Sequence, residues 1–145
     1  MVLTRLVPSM PEGNAFHDSE KVIDMEHTST LTVSLEYTAE MMGSGDMPVL
    51  ATPALVALME NAAMMACRPL CGEGQTTVGG SIQVQHLKPS PLGASVEATA
   101  RVTLHEGRKV EFTIEARQGE VVIGTASHTR FIVDRDRFLS KLREG

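Results

Sequence analysis

The chain has 145 residues, with thirteen Lys+Arg against eighteen Asp+Glu, a formal net charge of −5. That length is one domain, able to bury a core without disulfides or metals. No block of five or more basic residues occurs, and four Phe, one Tyr and no Trp leave little for bases to stack on, which excludes a nucleic-acid binder. No apolar run nears eighteen residues and no cationic start precedes an apolar stretch, so neither a membrane span nor a secretory leader is expected. Two cysteines make no disulfide framework, and a cytoplasmic protein with reduced thiols is the expectation.

Residues 1–29 show no sustained period and carry Pro8, Pro11 and Gly13. They read as a loosely structured N-terminal extension ahead of a domain over 30–145. Residues 30–37 (TLTVSLEY) alternate, with Leu31, Val33 and Leu35 on one side, which predicts a half-buried strand. A turn-rich connector over 39–49 follows. The spacing then predicts a helix over 51–67, with Thr52 as its N-cap and Pro53 in the first helical position. Only Glu60 and Asn61 are polar between Pro53 and Cys67, so the helix is expected to be buried on most sides. Pro69 ends it.

Strands follow over 76–87, 94–105, 109–117 and 120–133, with a Glu106-Gly107-Arg108 hairpin turn, a second turn at Gln118-Gly119 and a bulge expected at Gly124. Asp134 is placed to cap a short amphipathic helix through Leu142. Tight connections imply antiparallel pairing. One long apolar helix wrapped by a curved antiparallel sheet is an α+β hotdog fold. The sheet's open edges predict at least a homodimer, joined edge to edge.

Three polar side chains, Glu60, His86 and Thr52, fall on buried-facing positions of the helix and the sheet expected to wrap it. Glu60 sits mid-helix among Val56, Ala57, Ala63 and Met64, where an unpaired carboxylate is costly. It is either structural, at a seam or in an ion pair, or functional. Arg130, in the otherwise uncharged stretch VVIGTASHTRFIV, is a candidate partner, or else a solvated strand-face arginine. His86 shares a strand face with Ile82 and Val84, either as a satisfied core histidine or as a base. Thr52 is either a helix cap or a hydroxyl at the electropositive helix start. Together they supply a hydroxyl, a carboxylate and an imidazole, the parts of a nucleophile, base and orienter.

His128, two residues before Arg130, could support that set. His17 and His27 fall in the extension. Met41, Met42, Met47, Met59, Met64 and Met65 read as core and pocket lining. Cys67 and Cys71 lack metal-site spacing, and Gly79-Gly80 is no dinucleotide fingerprint but lets a backbone approach a ligand closely.

LATPALVALMENAAMMA, TTVGGSIQVQHLKPSPLGASVEATA and IGTASHTRFIV together resemble the fluoroacetyl-CoA thioesterase-like family of hotdog proteins, over about residues 30–142. The resemblance implies a hotdog dimer that cleaves acyl-CoA thioesters near the dimer seam. It implies a catalytic set of Thr52, Glu60 and His86, with Gly79 and Arg130 in substrate binding; Gly80, beside Gly79, is a further candidate there through its backbone. It implies no metal and no cofactor beyond the CoA thioester itself. Family members selective for fluoroacetyl-CoA carry lid phenylalanines in the connector; here it reads MMGSGDMPVL, so another short acyl group is expected. Rival readings are a non-catalytic acyl-CoA-binding hotdog protein, an enoyl-thioester hydratase (disfavoured, with no Asp near His86) and a purely structural Glu60–Arg130 seam pair.

Overall fold

A computed structural model of the protein describes residues 2–5, by their backbone, and residues 25–144. The strands are β1 (Val2–Arg5), β2 (Glu26–Thr32), β3 (Gln75–His86), β4 (Ser95–Glu106), β5 (Lys109–Gln118) and β6 (Val121–Asp134). The helices are α1 (Ala39–Met42), α2 (Thr52–Cys67) and α3 (Arg135–Arg143), with 3-10 turns at Leu35–Tyr37 and Arg68–Leu70. The strands form one antiparallel sheet in the order β1-β2-β4-β5-β6-β3. Gly107 and Gly119, at φ 59° and 61°, close the β4–β5 and β5–β6 hairpins in a left-handed geometry that side chains resist. β3 pairs with β6 alone, so its outer edge is open among the described residues.

The sheet curls around α2, as expected for a hotdog fold. Val96, Ala98, Ala100 and Val102 of β4, and Val110, Phe112, Ile114 and Ala116 of β5, alternate inward and are buried. They meet Leu55, Leu58, Met59, Ala62, Ala63 and Ala66 of α2. Small residues on both sides let helix and sheet approach closely, and the larger ones fill what remains. The expected burial of α2 on most sides holds for this face only. Thr52, Pro53, Ala57 and Asn61 are exposed and Val56, Glu60 and Met64 half-buried, because one sheet covers only one side of a helix.

Other expectations are corrected. The first strand of the domain is Glu26–Thr32, not 30–37. The chain turns away after Thr32, since Val33 exchanges backbone bonds with Gly93 and Ala94 and Leu35 opens a 3-10 turn. Alternation continues through that bend, so it could not mark where pairing ends. The N-terminal stretch is not all loose: Val2–Arg5 pairs with β2, and Met25 and His27 are buried. Residues 6–24 lie outside the described residues. The bulge near Gly124 makes Ile123 the extra residue, because Ala116 faces Gly124 and Arg117 faces Val122. Asp134 stands at the N-cap of α3 but does not cap it; its carboxylate meets Gln75 and Arg108 instead. Met59 is core, whereas Met41, Met42 and Met47 are exposed on the connector.

Candidate active site

Thr52 is not the N-cap of α2. Ala51 holds that position, Thr52 is the first helical residue, and no side chain caps the end. The shift by one residue frees the Thr52 hydroxyl from capping. Its Oγ1 lies 2.8 Å from Nδ1 of His86, the last residue of β3. Burial pushes the His86 imidazole below its ordinary pKa, against a weaker opposing effect of the Lys88 backbone. The ring is therefore neutral at neutral pH, and its Nδ1 can accept from the hydroxyl. His86 Nε2 is buried without a hydrogen-bond partner among the described residues. The pair borders a cavity of about 340 Å³, walled by Ser44, Val49 and Leu50 of the connector and by Lys88 and Pro89. The connector methionines do not line it.

Two turns further along α2, Glu60 forms a second group. Its Oε2 lies 3.6 Å from Nη1 of Arg130, so of the two readings the sequence left open for that arginine the structure has the ion pair. The carboxylate is 41% exposed and the arginine 8%. Arg130 donates from Nε to Thr77 Oγ1 at 2.9 Å and from Nη2 to the Thr77 carbonyl at 3.2 Å, and its Nη1 lies 3.2 Å from His128 Nε2. Gly79 faces the same carboxylate: a Cβ there would lie 2.7 Å from Glu60 Oε2. Gly80 belongs to the other face, where a Cβ would meet the Phe131 ring at 2.5 Å.

A bulge makes this arrangement possible. Gly79 pairs with Arg130 and Ser81 with Thr129, so Gly80 is the extra residue of β3. It resets the alternation by one. Thr77 and Gly79 before it, and Ile82, Val84 and His86 after it, thereby all face the helix. Without it, Gly79 and His86 would lie on opposite faces. The predicted residues thus fall into two groups within one protomer: Thr52 with His86, and Glu60 with Gly79 and Arg130. Thr52 and Glu60 are about 12 Å apart along the helix axis, from eight residues at ~1.5 Å each. Sequence reasoning passed over Thr77, whose signal was only a buried-face polar residue beside Gly79. Among the described residues no cluster of three or more His, Cys, Asp or Glu could hold a metal ion.

The curled antiparallel sheet and the one long helix it covers define a hotdog fold. A hot-dog-like protein from Thermanaerovibrio acidaminovorans shares the fold, with a TM-score of 0.78 over 90% of this chain and 96% of that one, at 23% identity. The family model for fluoroacetyl-CoA-specific thioesterase matches residues 33–136. The fluoroacetyl-CoA thioesterase of Streptantibioticus cattleyicolor is 33% identical over 96 residues, 66% of this chain and 69% of that protein. A variant of such an enzyme, solved in complex with acetyl-CoA, superposes with a TM-score of 0.75 at 28% identity, covering 81% of this chain and 92% of that one. The chain belongs to the fluoroacetyl-CoA-specific thioesterase family.

Proposed function

We propose that the enzyme hydrolyses a short acyl-CoA thioester to the free acid and coenzyme A, with Thr52, Glu60 and His86 as its catalytic set. The observation that carries this reading is the Thr52–His86 hydrogen bond on the wall of a cavity at the start of α2. The solved relative with acetyl-CoA supports the substrate class.

Water attacks the thioester carbonyl as His86 takes its proton. The oxyanion forms beside backbone N–H groups, either those at the unpaired start of α2 or those near Gly79. Collapse breaks the C–S bond, and the thiolate leaves with the proton from His86. Glu60, oriented by Arg130, stabilises the imidazolium. In the alternative route Glu60 itself attacks the carbonyl and expels the CoA thiolate to give an anhydride; water that opens this anhydride at the Glu60 carbonyl leaves one solvent oxygen in Glu60 after a single turnover in labelled water.

The separation of the two groups points to a homodimer as the active form. β3 has an open edge, and α2 presents a half-exposed Glu60 beside exposed Ala57 and Asn61. Two-fold pairing of β3 with its copy, centred near Ile82, sets Gly79 of one protomer opposite His86 of the partner subunit. The carboxylate and the imidazole then meet across the seam. The connector's lack of aromatics argues for an acyl group other than fluoroacetyl.

Thiol release from acetyl-, propionyl-, malonyl-, phenylacetyl- and fluoroacetyl-CoA tests the reading, together with sedimentation to establish the dimer. Glu60→Gln and His86→Ala are expected to lose most of kcat. Activity within a few-fold of wild type in both variants overturns the assignment.

A further inference from the structure

We infer that His128 is a positioning residue for the thioesterase reaction: held as a neutral, single tautomer by the β3 bulge, it aims Arg130 at Glu60. This rests on the proposed role of Glu60. The Ser81 carbonyl lies 2.7 Å from His128 Nδ1. A carbonyl oxygen can only accept, so Nδ1 carries the proton. In the neutral ring Nε2 is then a lone pair, and it accepts from Arg130 Nη1 at 3.2 Å. The same guanidinium nitrogen stands 3.6 Å from Glu60 Oε2. One nitrogen of Arg130 thus connects a buried imidazole to the half-exposed carboxylate.

Three further observations fix the geometry. His128 is 3% exposed, and its ring stacks on Phe112 with centroids 5.7 Å apart. Thr77 engages the other two guanidinium nitrogens, so Arg130 can turn only if several bonds break together. Ser81 is the residue at which pairing resumes after the Gly80 bulge, so the imidazole also ties the bulge to β6. The charged groups facing His128 are Arg130 on its own strand and Glu60 on α2; Ser81 of β3 and Phe112 of β5 present no charge. A proton on Nε2 would point at the guanidinium, so the network holds only while the ring is neutral. Burial, the largest influence, keeps the ring's pKa below the ordinary histidine value, in the same sense.

The test compares His128→Phe, His128→Gln and Glu60→Gln in the full-length protein by kcat, KM and pH profile. Phenylalanine keeps the stacking volume but removes both nitrogens; glutamine keeps one donor and one acceptor. The expected result is a loss of kcat of about tenfold or more in His128→Phe, with KM nearly unchanged and kcat largely restored in His128→Gln. The acid limb of the rate profile is expected to be shallower in His128→Gln, which has one titrating group fewer. Wild-type kcat and an unchanged acid limb in His128→Phe, with Glu60→Gln inactive, overturn the inference and leave the reaction standing. Full activity in Glu60→Gln overturns both. Should His128→Phe fail to fold, ¹⁵N-histidine NMR of the wild type decides. A neutral Nδ1-protonated ring at neutral pH supports the inference, and an Nε2-protonated or charged ring there overturns it.

Discussion

The Thr52 hydroxyl is 2.8 Å from Nδ1 of His86, across 34 residues of chain, because α2 starts one residue earlier than its proline suggests. A hydroxyl engaged in capping would accept a backbone N–H and be less free to meet the imidazole. Removing it by Thr52→Val should therefore cost catalysis rather than helix stability. We expect a loss of kcat of about tenfold, the worth of one such hydrogen bond, and recovery in Thr52→Ser. Loss of the imidazole in His86→Ala should cost about 10²–10⁴. Thiol-release kinetics and thermal melts on the same samples check both.

Gly79 admits the Glu60 carboxylate. In Gly79→Ala the new methyl would stand 2.7 Å from Oε2, the far end of a flexible side chain, so the fold can absorb the change while the carboxylate cannot keep its place. The expected outcome is a Tm within a few degrees of wild type and kcat down by up to about 10²-fold, typical of a displaced catalytic group. Gly80→Ala presses on Phe131 on the opposite face and should leave kcat much less affected. Equal losses in both variants would contradict the placement of Gly79.

Gly124 answers to packing rather than chemistry. A Cβ there meets Leu55 Cδ2 at 3.0 Å, the Gln85 carbonyl at 3.2 Å and Met59 Cε at 3.3 Å. Leu55 and Met59 are fully buried, and the carbonyl belongs to the neighbouring strand. Gly124→Ala should destabilise the protein by about 1–3 kcal/mol through overpacking. Urea denaturation measures it, and an unchanged midpoint would show that the helix can retreat from β6.

Stability should fall on mild acidification. Burial depresses the pKa of His27, His86 and His128 in the folded protein. Below the unfolded value of about 6.5, the unfolded chain binds protons that the folded one refuses, so the stability present above that pH is lost as it falls through the folded values. Melting temperatures from pH 7.5 to 5 should decline, and the slope should be smaller by the share of one proton in His128→Gln. A Tm that rises on acidification over that window would reverse the sign and contradict the buried neutral histidines.

The two cysteines should behave differently. Cys67 is fully buried, and its thiol is pushed up to about 12, mainly by burial. Cys71 is half-buried and raised less. Since the thiolate is the reactive form, iodoacetamide should label Cys71 first and Cys67 only after unfolding. Mass spectrometry of native and urea-treated protein reads this directly, and native labelling of Cys67 would contradict its burial.

The strands after α2 were legible because their alternation and turn glycines are local signals. Val96 to Val102 and Val110 to Ala116 announce an inward face, and Gly107 and Gly119 mark the hairpins. The first strand was misplaced by its neighbours: Leu31, Val33 and Leu35 keep the period, but only long-range bonds from Val33 to Gly93 and Ala94 end the strand at Thr32. Thr52, Glu60, His86 and Arg130 stood out as polar residues in apolar settings, and residue type and spacing sufficed to single them out.

What the sequence determined alone was therefore the element order, the helix-facing residues of each hairpin strand and the side chains capable of chemistry, all encoded within a few residues of one another. Tertiary structure decided which of them meet. The Gly80 bulge turned Gly79 to the side of His86, the early start of α2 released the Thr52 hydroxyl, and the Ser81 carbonyl selected one tautomer of His128. Each depends on register or contact between distant segments, and a local period of two or of 3.6 carries no information about that.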